Sequence, residues 1–179
     1  MNKQDLVNDE SVDSRRRGML RGLLAGSAAL ACAGVWLARP RRALADAARF
    51  EIEHSDAEWL ALLGPQRYAI LRQQGTEPPF SSPLDHEHRA GTFSCAGCAL
   101  PLYSSATKYD SHTGWPSFWK PLPKAVGQTR DSTLGMVRTE IHCRRCGGHL
   151  GHVFDDGPRP TGLRYCMNGL ALEFTPSAG

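Results

Sequence analysis

Two C-x-x-C pairs constrain the fold of this chain more than any other feature of its sequence. Cys95 and Cys98 form the first pair, and Cys143 and Cys146 form the second, with 44 residues between the pairs. Four thiolates at tetrahedral distance make a structural zinc site that has no open coordination position. Because the separation exceeds that of a compact zinc ribbon, we predict two separate hairpins, joined by zinc across parts of the sheet that are distant in sequence.

Disulfide bonding and redox activity are the alternatives to zinc binding for the paired cysteines. Two disulfides are compatible with an exported protein, and a single C-x-x-C pair can be redox-active. A redox-active pair needs a helix N-terminus that lowers the thiol pKa, and neither pair opens an evident helix. The sequence therefore favours one structural Zn²⁺ per chain over these alternatives.

The N-terminal segment has the features of an export signal. From Arg16 the chain reads R-R-G-M-L-R, which fits the twin-arginine pattern, and the uncharged run 22–38 follows. The small residues Ala43-Leu44-Ala45 form a cleavage site before Asp46. We therefore predict a twin-arginine signal peptide over 1–45, a single domain over 46–179 and a periplasmic location.

Membrane attachment remains an alternative to cleavage. An apolar run of about 17–25 residues can span a bilayer, so an uncleaved leader would anchor the chain. An imperfect lipobox ends at Cys32, which lipidation would attach to the membrane. Without either anchor, the mature chain is expected to be a monomer that makes no stable membrane contact.

The net charge of the chain belongs mostly to this leader. Residues 1–45 carry eight Lys and Arg and four Asp and Glu, which leaves 13 of the 21 basic residues and 14 of the 18 acidic residues in 46–179. The mature chain therefore has a net charge of −1. Such a balance does not indicate nucleic-acid binding.

The mature chain reads as a small α+β domain that is mainly β. A capping box over Ser55–Glu58 opens a short helix through about Leu63, Gly64-Pro65 breaks it, and a second helix ends near Gly75. Further along, short segments rich in β-forming residues alternate with Gly, Pro and Asp, which predicts a mostly antiparallel sheet. These segments are 92–95, 135–142, 149–154 and 163–174.

Cys166 has no partner among the paired cysteines. In a strand, Arg164, Cys166 and Asn168 would share one face, because residues two apart point the same way. A neighbouring guanidinium favours the thiolate, which is the nucleophilic form of cysteine. Asn168 can donate a hydrogen bond to the group that the sulfur attacks. This polar setting argues against a buried structural cysteine.

Two histidines precede this strand in the stretch "GGHLGHVFDDGP". His149 and His152 are three residues apart, so a regular strand would place them on opposite faces. A bulge at Gly151 could bring both imidazoles to one side.

Several long stretches resemble the B-type methionine-R-sulfoxide reductases. They are "TEPPFSSPLDHEHRAGTFSCAGC", "KYDSHTGWPSFW", "RTEIHCRRCGGHLGHVFDDGPRPTGLRYCMNG" and "LEF". The resemblance extends from about residue 55 to residue 174. It implies two antiparallel sheets with short N-terminal helices, a structural zinc on the four paired cysteines, and Cys166 as the nucleophile.

The resemblance also implies a reaction. Cys166 would attack the sulfur of methionine-R-sulfoxide, free or in oxidised proteins, while His149 or His152 protonates its oxygen and Asn168 orients it. Arg164 would stabilise the thiolate, and Trp115 would form the apolar wall that receives the substrate methyl group.

Recycling of the enzyme is predicted to need another protein. Many family members have a resolving cysteine where this chain has Thr113, so a thioredoxin-like thiol donor is expected to reduce the sulfenic acid left on Cys166. A different class of protein is the alternative: a non-catalytic, zinc-clamped binding module of similar fold. Such a module would account for the paired cysteines and leave Cys166 and the histidines without a role.

Overall fold

The computed structural model describes residues 50–178, which form one α-helix and nine β-strands. The predicted leader, including Arg16 and Cys32, lies outside the described residues, as do residues 46–49. Within 50–178, no helix is both long and apolar enough to cross a bilayer.

The helix α1 (Asp56–Gln73) begins and breaks where the sequence predicts. Ser55 and Glu58 form the reciprocal hydrogen bonds of a capping box. Gly64 leaves the helical conformation at φ 69° and ψ 168°, immediately before Pro65, so α1 consists of two short helices joined at a kink. The second part ends one residue earlier than predicted, because Gln74 rather than Gly75 adopts the left-handed cap conformation.

The strands form two antiparallel sheets. Their bounds are β1 (Gly91–Cys95), β2 (Pro101–Ser104), β3 (Lys108–Tyr109), β4 (Ser117–Phe118), β5 (Val126–Asp131), β6 (Arg138–Cys143), β7 (His149–Phe154), β8 (Arg164–Met167) and β9 (Leu172–Pro176). The smaller sheet has the order β2-β1-β9, and the larger has the order β3-β4-β8-β7-β6-β5. The prediction of a mainly β fold with two antiparallel sheets is confirmed.

Three details of the strand prediction were wrong. Residues 163–174 form two strands in different sheets, because a 3₁₀ turn over Gly169–Ala171 separates β8 from β9. The strand predicted from residue 135 begins at Arg138, after another 3₁₀ turn at Thr133–Gly135. Strands β2 to β5 were not predicted, because they are short or, in β5, largely polar and exposed.

The core lies between the two sheets and is rich in aromatic side chains. Phe93 and Tyr103 of the smaller sheet contact Phe118 of the larger one, with ring centroids 5.0 and 4.3 Å apart. The Tyr103 hydroxyl donates to the sulfur of Met167 at 3.2 Å. Because Tyr165 and Met167 point into this core, the alternate residues of β8 point the other way, toward a cavity.

Candidate active site

The four paired cysteines come together at the tips of two hairpins. Cys95 ends β1 and Cys143 ends β6, while Cys98 and Cys146 lie in the turns that follow. The four Sγ atoms lie within 4.8 Å of one another. The two pairs contact each other at 3.7 Å between Cys95 and Cys146 and at 3.5 Å between Cys98 and Cys143, both far longer than a disulfide bond.

The two turns repeat one backbone pattern. Ala99 donates to the Cys95 carbonyl at 2.8 Å, and Gly147 donates to the Cys143 carbonyl at 2.9 Å. Both donors adopt a left-handed conformation, with φ 57° and 70°. Three of the four cysteines are buried. The cluster therefore fits a four-coordinate metal ion, and the prediction of two metal-binding hairpins is confirmed at the level of geometry.

A second group of predicted residues surrounds a cavity of about 140 Å³ on the outer face of the larger sheet. Cys166, His152, Trp115 and Asn168 all line it. In the ladder, β8 lies between β4 and β7, so Cys166 has Ser117 as its direct neighbour on one side and His152 on the other. Directly opposite residues of an antiparallel pair project to the same face, which brings the His152 ring beside the thiol.

The thiol of Cys166 is half-buried. Burial raises the pKa of Cys166 above its ordinary value, while the Thr113 hydroxyl and the Arg164 guanidinium act against that rise. Arg164 is held by a bidentate pair with Asp156, at 2.9 and 2.8 Å, and its guanidinium stacks over the Phe154 ring at 4.3 Å. Its charge thus acts on Cys166 from a fixed position.

Each histidine is held by a carboxylate that the sequence did not single out. His152 Nε2 lies 2.8 Å from Asp131 Oδ2, and the same oxygen accepts from Arg138 at 2.7 Å. His149 Nδ1 lies 2.7 Å from Glu140 Oε1. The antiparallel pairing of β5, β6 and β7 could have indicated both carboxylates, but only if the register of these strands had been known.

The two imidazoles lie on the same side of the sheet, 5.4 Å apart. The register between β6 and β7 shifts by one residue between Ile141 and His142, opposite the stretch that contains Gly151. The bulge expected at this glycine is therefore present. His149 is nonetheless buried behind the cavity rather than lining it, and burial lowers the pKa of His149 while Glu140 opposes the change.

Glu77 joins two walls of the cavity. Its backbone carbonyl accepts from Trp115 Nε1 at 3.1 Å, and its backbone N–H donates to Asn168 Oδ1 at 3.0 Å. Its buried carboxylate accepts from the backbone N–H groups of Gly169 and Leu170. Glu77 was not predicted as a site residue, since its partners lie 38 to 93 positions away.

A larger groove of about 680 Å³ lies between the end of β9 and the segment around Pro78. Its lining includes Ser82, Leu84 and Phe174, and among the described residues it contains no cysteine or histidine. The small cavity, rather than this groove, therefore carries the reactive side chains.

A two-sheet domain that places a half-buried thiol against a carboxylate-bound histidine is organised as a cysteine-dependent enzyme. Comparison with known proteins identifies which one. Residues 63–176 match the SelR domain family. Three curated relatives, each named peptide methionine sulfoxide reductase MsrB, come from Agrobacterium fabrum, Pseudomonas putida (strain W619) and Leptospira interrogans. They are 54%, 51% and 53% identical, over 70%, 72% and 70% of this chain and 94%, 98% and 96% of the respective relative.

The chain therefore belongs to the MsrB family of peptide methionine sulfoxide reductases. It is an oxidoreductase, and the alternative of a non-catalytic binding module is set aside.

Proposed function

We propose that this protein reduces the R epimer of methionine sulfoxide, free or in oxidised proteins and peptides, to methionine. The observation that carries the proposal is the cavity in which Cys166 faces His152 and Trp115, in a chain of the MsrB family. An aromatic wall suits the S-methyl end of the substrate, and the thiol and imidazole suit the polar S–O group.

The proposed reaction moves one oxygen from the substrate sulfur to Cys166. A sulfoxide sulfur becomes electrophilic as its oxygen is protonated, so the site needs a thiolate and a proton donor on either side of the S–O bond. The Cys166 thiolate attacks the sulfur to form an S–S bond, and His152 protonates the oxygen. The resulting hydroxyl group passes to the Cys166 sulfur as the S–O and S–S bonds to the substrate sulfur break, and the proton lost by the thiol replaces the one that His152 gave. Thiol and sulfoxide thereby become sulfenic acid and methionine.

We assign the proton to His152 because it lines the cavity, while buried His149 supports it from behind. Asp131 fixes the His152 ring through the hydrogen bond to Nε2. Asn168, which also lines the cavity, orients the substrate, Arg164 stabilises the thiolate, and Trp115 distinguishes the methyl group from the oxygen.

The four paired cysteines are proposed to hold one structural Zn²⁺. Four thiolate ligands are the preferred set for this ion and leave no position for water or substrate. The ion would supply folding energy and no step of the reaction.

Recycling is proposed to use an external thioredoxin-like thiol donor. Within residues 50–178 the cysteines other than Cys166 are the four of the cluster, and joining one of them to Cys166 would dismantle the metal site. Thr113 Oγ1, 3.9 Å from Cys166 Sγ, cannot form a disulfide.

Export through the twin-arginine route is proposed for residues 1–45, with a monomeric mature domain in the periplasm. This route carries folded proteins, so the domain could bind zinc in the reducing cytoplasm before export. Arg16→Lys combined with Arg17→Lys should leave full-length precursor in the cytoplasm. Normal processing of that variant, or of the wild type in cells without twin-arginine transport, would rule the route out.

The reaction is tested with separated substrate epimers. Wild-type protein with a dithiol reductant should convert methionine-R-sulfoxide and leave the S epimer almost untouched, and Cys166→Ser should convert neither. Equal rates for the two epimers, or full activity of Cys166→Ser, would overturn the proposal.

A further inference from the structure

Three hydroxyl groups form a continuous chain that ends at the sulfur of Cys166. Thr113 Oγ1 lies 3.9 Å from Cys166 Sγ and 2.8 Å from Ser111 Oγ. Ser111 Oγ lies 2.7 Å from Ser117 Oγ, and Ser117 donates to the Trp115 carbonyl at 3.0 Å. The reaction proposed above uses none of these hydroxyls.

A count of protons shows how the chain responds to the state of Cys166. Each hydroxyl carries one proton, and the Trp115 carbonyl can only accept. With a thiol at Cys166, four protons serve four contacts, and every hydrogen bond runs from the sulfur toward the carbonyl. With a thiolate, three protons remain for the four contacts, so Thr113 satisfies the sulfur by turning toward it, and one contact further along the chain is left without a proton.

The chain is closed at its inner end. Ser117 is fully buried in β4, and its hydroxyl leads to a backbone carbonyl rather than to solvent. The thiol proton therefore cannot leave through Ser117, and His152 lies on the cavity side of the thiol. What the chain can change is the direction of its hydrogen bonds.

We infer that Thr113 is a further catalytic residue, which accepts the S–H of resting Cys166 and donates to its thiolate, and that Ser111 and Ser117 are positioning residues for it. The role of Thr113 in the reaction rests on the proposed function. The effect of Thr113 on the Cys166 thiol rests on the geometry alone.

Other charged and titratable groups lie around Cys166. They are Arg164 on the same strand, Tyr109 on β3, Arg138 on β6, His152 on β7 and Asp156 in the loop after β7, which pairs with Arg164. All of them are present in both wild type and hydroxyl variants. A difference between the two proteins in the titration of Cys166 therefore reports on the hydroxyl chain.

The test measures alkylation of Cys166 by iodoacetamide in the full-length protein, resolved by peptide mass spectrometry from about pH 6 to pH 10. Thr113→Val removes the hydroxyl and keeps the shape of the side chain. We expect a higher apparent pKa and, at neutral pH, an alkylation rate about three- to tenfold lower, which corresponds to one lost hydrogen bond. Thr113→Ser should restore the wild-type profile, and Ser111→Ala should shift it in the same direction as Thr113→Val.

Thr92→Val, in β1 of the other sheet, is the matched control and should leave the profile unchanged. A folded Thr113→Val protein with the wild-type profile would overturn the inference; if that variant does not fold, a wild-type profile in Ser111→Ala would do so. Because no sulfoxide enters this assay, its outcome is independent of the epimer test, which alone decides the proposed function.

Discussion

At the scale of single residues, acidic residues behind the cavity walls hold the predicted site residues in place. The carboxylates of Asp131 and Glu140 hold His152 and His149, and the backbone of Glu77 ties Trp115 to Asn168. None of these acids stands beside its partner in the sequence, and Asp131 and His152 are 21 residues apart. The lining residues could be named from the sequence because they are reactive types in a distinctive pattern. Their supports could not, because strand pairing alone brings them into contact.

The support of His152 leads to a prediction for Asp131→Asn. The amide keeps the size of the side chain but replaces the charged hydrogen bond that holds His152 Nε2 with a weaker neutral one, so kcat should fall about 10- to 100-fold with a smaller change in KM, as expected when a general acid is no longer held in position. Steady-state kinetics with methionine-R-sulfoxide measure both constants. The control is Asp155→Asn, at an exposed carboxylate, which should keep wild-type kinetics. Equal kinetics for the two variants would show that Asp131 has no part in proton delivery.

The burial of Cys166 leads to a pH prediction. Because burial raises the pKa of this thiol above its ordinary value of 9.0, the neutral thiol predominates at neutral pH in the absence of substrate. The rate of Cys166 alkylation should therefore rise about tenfold per pH unit between about pH 7 and pH 8.5, without a plateau. A plateau reached below pH 7 would mean that the resting enzyme already holds a thiolate.

At the scale of secondary structure, the sequence predicted those features that a short segment determines by itself. The capping box at Ser55 and the break at Gly64 were both predicted, and both are set by residues within one helical turn. The split of residues 163–174 into β8 and β9 was not predicted. The turn at Gly169 depends on the carboxylate of Glu77, which accepts hydrogen bonds from a segment more than 90 residues away.

The kink of α1 leads to a graded prediction at Gly64. Its φ of 69° is left-handed, and nothing lies within 4 Å of an added Cβ, so a side chain there would meet conformational strain without a clash. Gly64→Ala should lower the free energy of unfolding by about 1–2 kcal/mol, and Gly64→Asn by less, because asparagine tolerates this conformation better. Denaturant unfolding measures both. Equal stability of all three proteins would show that residue 64 can be helical and that the kink is not required.

At the scale of the whole molecule, the four-cysteine cluster joins the two sheets at a point separate from the cavity that Cys166 lines. One hairpin belongs to the smaller sheet and the other to the larger. Arg145 donates to the Cys98 carbonyl at 3.0 Å, and Arg72 of α1 donates to the Cys146 carbonyl at 2.9 Å, so both hairpins and the helix meet there. The sequence predicted this connection because each C-x-x-C pair is a local pattern that can be recognised by its spacing. The site that the two pairs form nevertheless joins distant parts of the chain.

The separation between the four-cysteine cluster and the cavity leads to a prediction about zinc. Cys166→Ser should bind about one zinc per chain and unfold like wild type, because its thiol lies outside the cluster. Cys95→Ser or Cys146→Ser should yield unfolded or aggregated protein, since structural zinc contributes directly to folding. Metal analysis together with circular dichroism measures both effects. A metal-free Cys95→Ser protein that is well folded and active would contradict a structural role for the cluster.

The central claim is that Cys166 alone takes the oxygen from the substrate, and one single-turnover measurement tests it directly. Protein is mixed with one equivalent of methionine-R-sulfoxide without reductant, and then with a dimedone-type reagent that captures sulfenic acids. We predict release of about one methionine per chain, a dimedone adduct on Cys166, and retention of zinc. A disulfide from Cys166 to one of the four clustered cysteines, with zinc released in step, would contradict the claim.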